Sequence, residues 1–173
     1  METMAQGENK RVVGVLFRRP DVAFLLLRIM IGVVFIAHGG QKLFGTFGGR
    51  GLDATANIMA GNGLKPGMFF AVLGGISEFG GGLLLLVGLL TPLAGLVITG
   101  VMVVAIAVSS GQRGFIALGG DLGYEYNLVL IAIALALVIA GPGQLSLDRQ
   151  LGLDRILVDR FRRSRTNHAE HSS

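Results

Sequence analysis

The stretch Leu73-Gly-Gly-Ile-Ser-Glu-Phe-Gly-Gly-Gly-Leu83 puts one carboxylate, Glu78, in the middle of an apolar run that extends from Met68 to Leu90. Gly74 and Gly75 stand four and three residues before Glu78, and Gly81 and Gly82 stand three and four after it. On a helix, positions three and four apart share a face. A face cleared of side chains lets a neighbouring helix come close, which is how helices associate where lipid removes the hydrophobic drive between them. An ionised carboxylate in that setting is expensive and calls for a partner of opposite sign.

Working outward, three further apolar stretches accompany Met68–Leu90: Val22–Gly39, Leu93–Ser109 and Tyr126–Ala140. Crossing about 30 Å of hydrocarbon takes ~20 helical residues, and a spanning segment must satisfy its own backbone polar groups. The pattern therefore predicts an all-α protein, a transmembrane four-helix bundle with spans over 22–39, 68–90, 93–109 and 126–140. These lie in a membrane domain covering 22–148, between a basic tail over 1–21 and another over 149–173. The first span is too long for the core of a cleavable signal, and Arg28 interrupts it.

Composition agrees. Of 173 residues 51% are hydrophobic and 15% charged, against about 25% charged in a soluble domain. With no cysteine, the chain has no thiol redox centre, zinc-thiolate site or iron–sulfur cluster of its own. His38 is the only histidine near the membrane, and His168 and His171 sit in the C-terminal tail, so no metal site is expected. The +4 formal charge comes largely from the tails and accompanies no nucleic-acid motif. Ten Lys or Arg residues in the two tails against four in the connections place both termini in the cytoplasm of a plasma membrane. Leu52–Ala60 reads as an interfacial helix on the outer side. At the other end Leu153, Leu157 and Phe161 mark either a helix on the inner leaflet or a solvated tail.

Two polar layers emerge. Aligning the middles of the first two spans sets Arg28 about one turn from Glu78, which predicts an intramembrane charge pair. Gly32 joins Gly74, Gly75, Gly81 and Gly82 as a packing glycine of that seam. The outer layer gathers His38, Gln41 and Lys42 from the first span with Tyr124, Glu125 and Asn127 from the fourth. Lys42 with Glu125, and His38 with Tyr124 or Glu125, would form a cluster of the kind that binds a quinone headgroup or relays a proton. Interfacial anchoring by tyrosine and lysine is the plainer alternative.

From Leu25 to Asp148 the chain resembles the DoxX family of small bacterial and archaeal membrane proteins. Four pieces carry the resemblance: Leu27-Arg28 with Phe35-Ile-Ala-His38-Gly-Gly-Gln41-Lys42-Leu43-Phe44; Glu78 leading to Gly88-Leu-Leu-Thr91-Pro92; Gly123-Tyr124-Glu125-Tyr126-Asn127; and Gly141-Pro142-Gly143-Gln144-Leu145-Ser146-Leu147-Asp148. The match departs where Asp121 and Leu122 follow Gly119-Gly120. The resemblance implies a four-helix membrane protein linked to quinone-dependent oxidoreductases, such as thiosulfate:quinone oxidoreductase, or to oxidative-stress complexes. Arg28, His38, Gln41, Lys42, Glu78, Tyr124 and Glu125 match the family's polar positions.

The leading expectation is thus a membrane subunit of a redox complex, in contact with lipid bilayer and redox partner proteins. It would hold no covalent cofactor, with quinone as its ligand. A proton-linked transporter using Arg28 and Glu78, and a scaffold anchoring a soluble enzyme through the arginine-rich tail, are the alternatives. Glycine faces also allow a homo-oligomer.

Overall fold

In the computed structural model, residues 20–116 and 122–153 are described, and these are helical with no strand among them. Helix α1 is Pro20–Phe44, α2 Gly51–Gly61, α3 Gly67–Val87, α4 Thr91–Val108, α5 Tyr124–Ala140 and the short α6 Leu147–Gln150. A 3₁₀ turn, Ser110–Arg113, follows α4. The segment expected to be interfacial, Leu52–Ala60, is α2, while residues 154–161 of the expected tail helix lie outside the described residues.

Local signals explain the boundaries. Gly88, at φ +71°, closes α3 in a Schellman arrangement, with Leu89 N–H donating to Leu84 O at 2.9 Å and Gly88 N–H to Leu85 O at 3.2 Å. Thr91-Pro92 forms the first turn of α4. The bend is Gly88 to Leu90.

α1 packs on α3, α3 on α4, α4 on α5, and α5 returns to α1. Ile31, Phe35, Leu85, Ile98, Leu130 and Leu137 fill the centre of this four-helix ring. Its outside is apolar too: Met30, Ile76, Leu93 and Ile139 are 65%, 58%, 55% and 85% exposed. α1, α3 and α4 are long and apolar enough to cross a membrane. α5 is a shorter apolar helix of 17 residues, about 25 Å.

Backbone contact fixes the α1–α3 register. A methyl placed on Gly82 would lie 2.8 Å from both Gly32 O and Ile36 N, and one on Gly39 would strike the backbone of Phe79. Gly75 receives Leu43. Gly32, Gly39, Gly75 and Gly82 thus all lie at the close α1–α3 contact. Gly81 instead faces Ile98 of α4, and Gly74 has no atom within 4 Å of a built methyl. Five glycines do not share one face.

This register corrects the expected Arg28–Glu78 pair. Arg28 falls beside Gly88, whose missing side chain makes room for the guanidinium. Glu78 is ten residues earlier on α3, about 15 Å away along the helix. Aligning span midpoints failed because glycine contacts, and not depth, set how two helices slide. The first turns of α1 consequently overhang the end of α3, and the chain after α5 fills the space, with Gly143 against Phe24.

Candidate functional site

Glu78 is 1% exposed, and its Oε1 accepts from Lys42 Nζ in a salt bridge across the α1–α3 seam. Lys42, at 28% exposure, is the member of the pair that reaches open space. His38, one turn before Lys42 on α1, lies within electrostatic reach of both. Its ring is 6.4 Å from that of Tyr126 on α5. Glu78 Oε2 is buried and has no hydrogen-bond partner among the described residues.

The open space beside Lys42 is a groove of about 730 Å³. α3 contributes Phe70, Leu73, Gly74 and Ser77; α4 contributes Leu96, Val97, Gly100, Val101 and Val104. Thr55, Ile58 and Met59 of α2 form its roof. Gln41, Lys42 and Arg50 give it a polar end. Such a slot, apolar along most of its length with a few polar groups at one place, suits a small amphiphile. The open face of Gly74 belongs to this groove and not to the helix seam.

Of the remaining polar residues, Gln41 shares the groove with Lys42 and the others lie elsewhere. Gln41 Nε2 donates to Phe47 O at 3.1 Å. Tyr124 stacks edge-on with Phe115 at 5.4 Å, and Tyr124 and Glu125 tie their backbone N–H groups to Gly114 O and Phe115 O, both at 3.2 Å. Asn127 Nδ2 donates to Met102 Sδ at 3.3 Å inside the α4–α5 contact. The expected outer cluster is thus split, and Lys42 pairs with Glu78 in place of Glu125. The cause is again the seam: it holds Lys42 against α3, whereas α5 meets α1 mainly through Tyr126 and the central core.

Arg28 heads a second polar group at the opposite end. It is fully buried, and its Nη2 donates to Leu145 O, with Asp148 as the nearby anion. Asp148 accepts the N–H groups of Leu90 and Thr91 at 2.6 and 2.8 Å, and its own N–H donates to Gly88 O at 2.9 Å. Asp21 Oδ1 accepts from Gln144 N–H at 2.8 Å. The loop over 141–148 is thereby clasped onto α1 and onto the α3–α4 bend. Its signal in the sequence was Ser146 preceding Asp148 and Arg149, a helix-start pattern in which Ser146 Oγ accepts from Arg149 N–H at 3.3 Å. Arg50 and Thr55 were missed because an isolated polar residue on a short amphipathic helix carries no motif.

Ionisable side chains turned into a closed ring of helices, with an apolar belt turned outward, define a multi-pass helical membrane protein. Comparison with known proteins makes the class specific. The chain belongs to the DoxX family, whose family model matches residues 23–111. It is 34% identical over 131 residues to the inner membrane protein YqjF of Escherichia coli, covering 76% of this chain and 93% of that protein. It is 30% identical over 128 residues to the protein named "Putative oxidoreductase CatD" of Bacillus subtilis, covering 74% and 86%. It is 32% identical over 136 residues to the membrane protein Rv3486 of Mycobacterium tuberculosis, covering 73% and 80%. No solved structure matches the chain.

Proposed function

We propose that this protein is the membrane subunit of a quinone-linked redox complex. It holds the quinone while a partner protein supplies the electron carrier, since a chain without cysteine has no thiol or iron–sulfur centre. The observation that carries this reading is the groove beside Lys42. A flat apolar ring with an isoprenoid tail is the occupant its apolar length accommodates, and Gln41 and Lys42 provide donors for a quinone carbonyl at its polar end. The name of the Bacillus relative supports a redox assignment. In this reading both termini are cytoplasmic, as the basic tails favour, and the groove's polar end faces the outer leaflet.

The test is photolabelling of the full chain in nanodiscs with an azido-benzoquinone, followed by peptide mapping. Labelling confined to peptides that line the groove, from the Gln41–Arg50 segment, α2, α3 and α4, and competed by a short-chain benzoquinone, is expected. Labelling that is absent, that is not competed, or that maps away from the groove overturns the reading.

A further inference from the structure

The lining of the groove is unbalanced in charge. It carries two cations, Lys42 and Arg50, and no carboxylate. Glu78 answers Lys42 from behind the wall. Arg50 is exposed and makes no hydrogen bond or ion pair to another described residue. Asp53, the nearest acid in sequence, stands on α2 but not on the lining. Two further donors are spent within the protein, Gln41 Nε2 on Phe47 O and Thr55 Oγ1 on Gly51 O at 2.7 Å. A guanidinium with its planar fork of donors is thus left at the polar end of an apolar slot. On α4 the wall from Leu96 to Ser109 is ~20 Å long at ~1.5 Å per residue, enough for a hydrocarbon chain that crosses half of a core about 30 Å thick. Ile58, Leu73, Leu96 and Val104 border the slot and are exposed, so it opens sideways, toward the lipid around the helices.

We propose that the groove binds an anionic phospholipid, with one acyl chain between α3 and α4 beneath α2 and the phosphate held by Arg50. A guanidinium meets phosphate oxygens with two parallel hydrogen bonds and an opposite charge. A zwitterionic head brings its own cation and gains less. A quinone is uncharged and leaves Arg50 unanswered, so charge complementarity selects the lipid as the resident occupant. Lipid and quinone then contend for one slot, and the anionic lipid content of the membrane regulates how readily quinone enters. Only that competition rests on the quinone-linked reading; the lipid site does not.

Native mass spectrometry of the full chain, released from nanodiscs of equal phosphatidylglycerol and phosphatidylcholine with no quinone added, tests the site. The wild type is expected to retain the anionic lipid over the zwitterionic one by at least about fivefold, or ~1 kcal/mol, the worth of one basic residue near an anionic head. Arg50→Gln is expected to lower the ratio by that factor and Arg50→Lys to restore most of it, the basic tails being the same in all three. Gly100→Phe, whose ring enters the slot, is expected to lower retention of both lipids, and Gly80→Phe, off the lining, to leave it unchanged. Millimolar inorganic phosphate is expected to displace nothing, since it has no chain for the slot. A wild type without preference, a preference that survives Arg50→Gln, retention that Gly100→Phe does not lower, or displacement by free phosphate each overturns the proposal. Failure of quinone photolabelling leaves the lipid result standing, so the two readings fail separately.

Discussion

Asp148 accepts the backbone N–H of Thr91 at 2.8 Å, 57 residues away in the chain, and so a residue beyond α5 caps the start of α4. Leu90 N–H completes the pair of bonds at 2.6 Å. The first N–H groups of a helix have no partner within it, and a carboxylate there also suits the helix dipole. Asp148 in addition is the anion nearest the buried Arg28. One side chain therefore joins three segments.

Asp148→Ala is expected to destabilise the protein by about 2 kcal/mol, since lost caps cost ~0.5–2 kcal/mol and hydrogen bonds to a charged group ~1.5–3 kcal/mol. Asp148→Asn keeps one acceptor and should fall between the variant and wild type. Thermal unfolding in detergent, followed by circular dichroism, reads both. Equal midpoints for all three proteins would refute the cap.

The glycine seam predicts a contrast between two neighbours in sequence. Gly82→Ala brings a methyl within 2.8 Å of two backbone atoms of α1, which do not swing aside. It should cost about 1–3 kcal/mol as the helices are forced apart. Gly80→Ala meets nothing within 4 Å and should gain up to ~1 kcal/mol from helix propensity. Opposite shifts of the thermal midpoint are the expected outcome, and equal shifts would count against the register.

Helix number and the packing role of Gly32, Gly75 and Gly82 were legible in the sequence, because apolar length and small-residue spacing are properties of one segment at a time. The partner of Glu78 was not. Choosing between Arg28 and Lys42 requires the slide between two helices, which depends on which glycine meets which backbone atom, and no single segment contains that. Setting Gly39 and Gly32 against the Phe79–Gly82 run would have been the better guide to register than span midpoints. The groove was illegible for a similar reason. Its walls belong to α3 and α4 and its roof to α2, and only their assembly gathers Gly74, Gly100 and Met59 into one slot. Asp148 was hidden because its partners, Leu90 and Thr91, are backbone groups and leave no mark in composition.

The corrected pairing predicts a difference in additivity. Lys42 and Glu78 are in contact, so a double-mutant cycle with Lys42→Met and Glu78→Gln should show a coupling energy of roughly 0.5–3 kcal/mol. Arg28 and Glu78 are about 15 Å apart along the seam, and the cycle with Arg28→Met and Glu78→Gln should be additive to within ~0.5 kcal/mol. Chemical unfolding in mixed micelles supplies the six stabilities needed. Strong coupling in the Arg28 cycle would restore the pair that the register excludes.

The groove can be closed without touching the ring of helices. Gly100 lines it, and a Cβ built there has no neighbour within 4 Å, so Gly100→Phe can branch from the backbone without a collision at Cβ and carry a ring into the slot. Gly80 is equally free of neighbours on α3 but does not line the groove, and Gly80→Phe adds the same apolar bulk elsewhere. Gly100→Phe is expected to keep the wild-type thermal midpoint and to weaken competition by short-chain benzoquinone at least about tenfold, the loss of roughly 1.4 kcal/mol of binding. Gly80→Phe should leave competition unchanged. If both variants bind alike, the quinone sits outside the slot between α3 and α4, and Lys42 then faces an empty neighbour during any redox step.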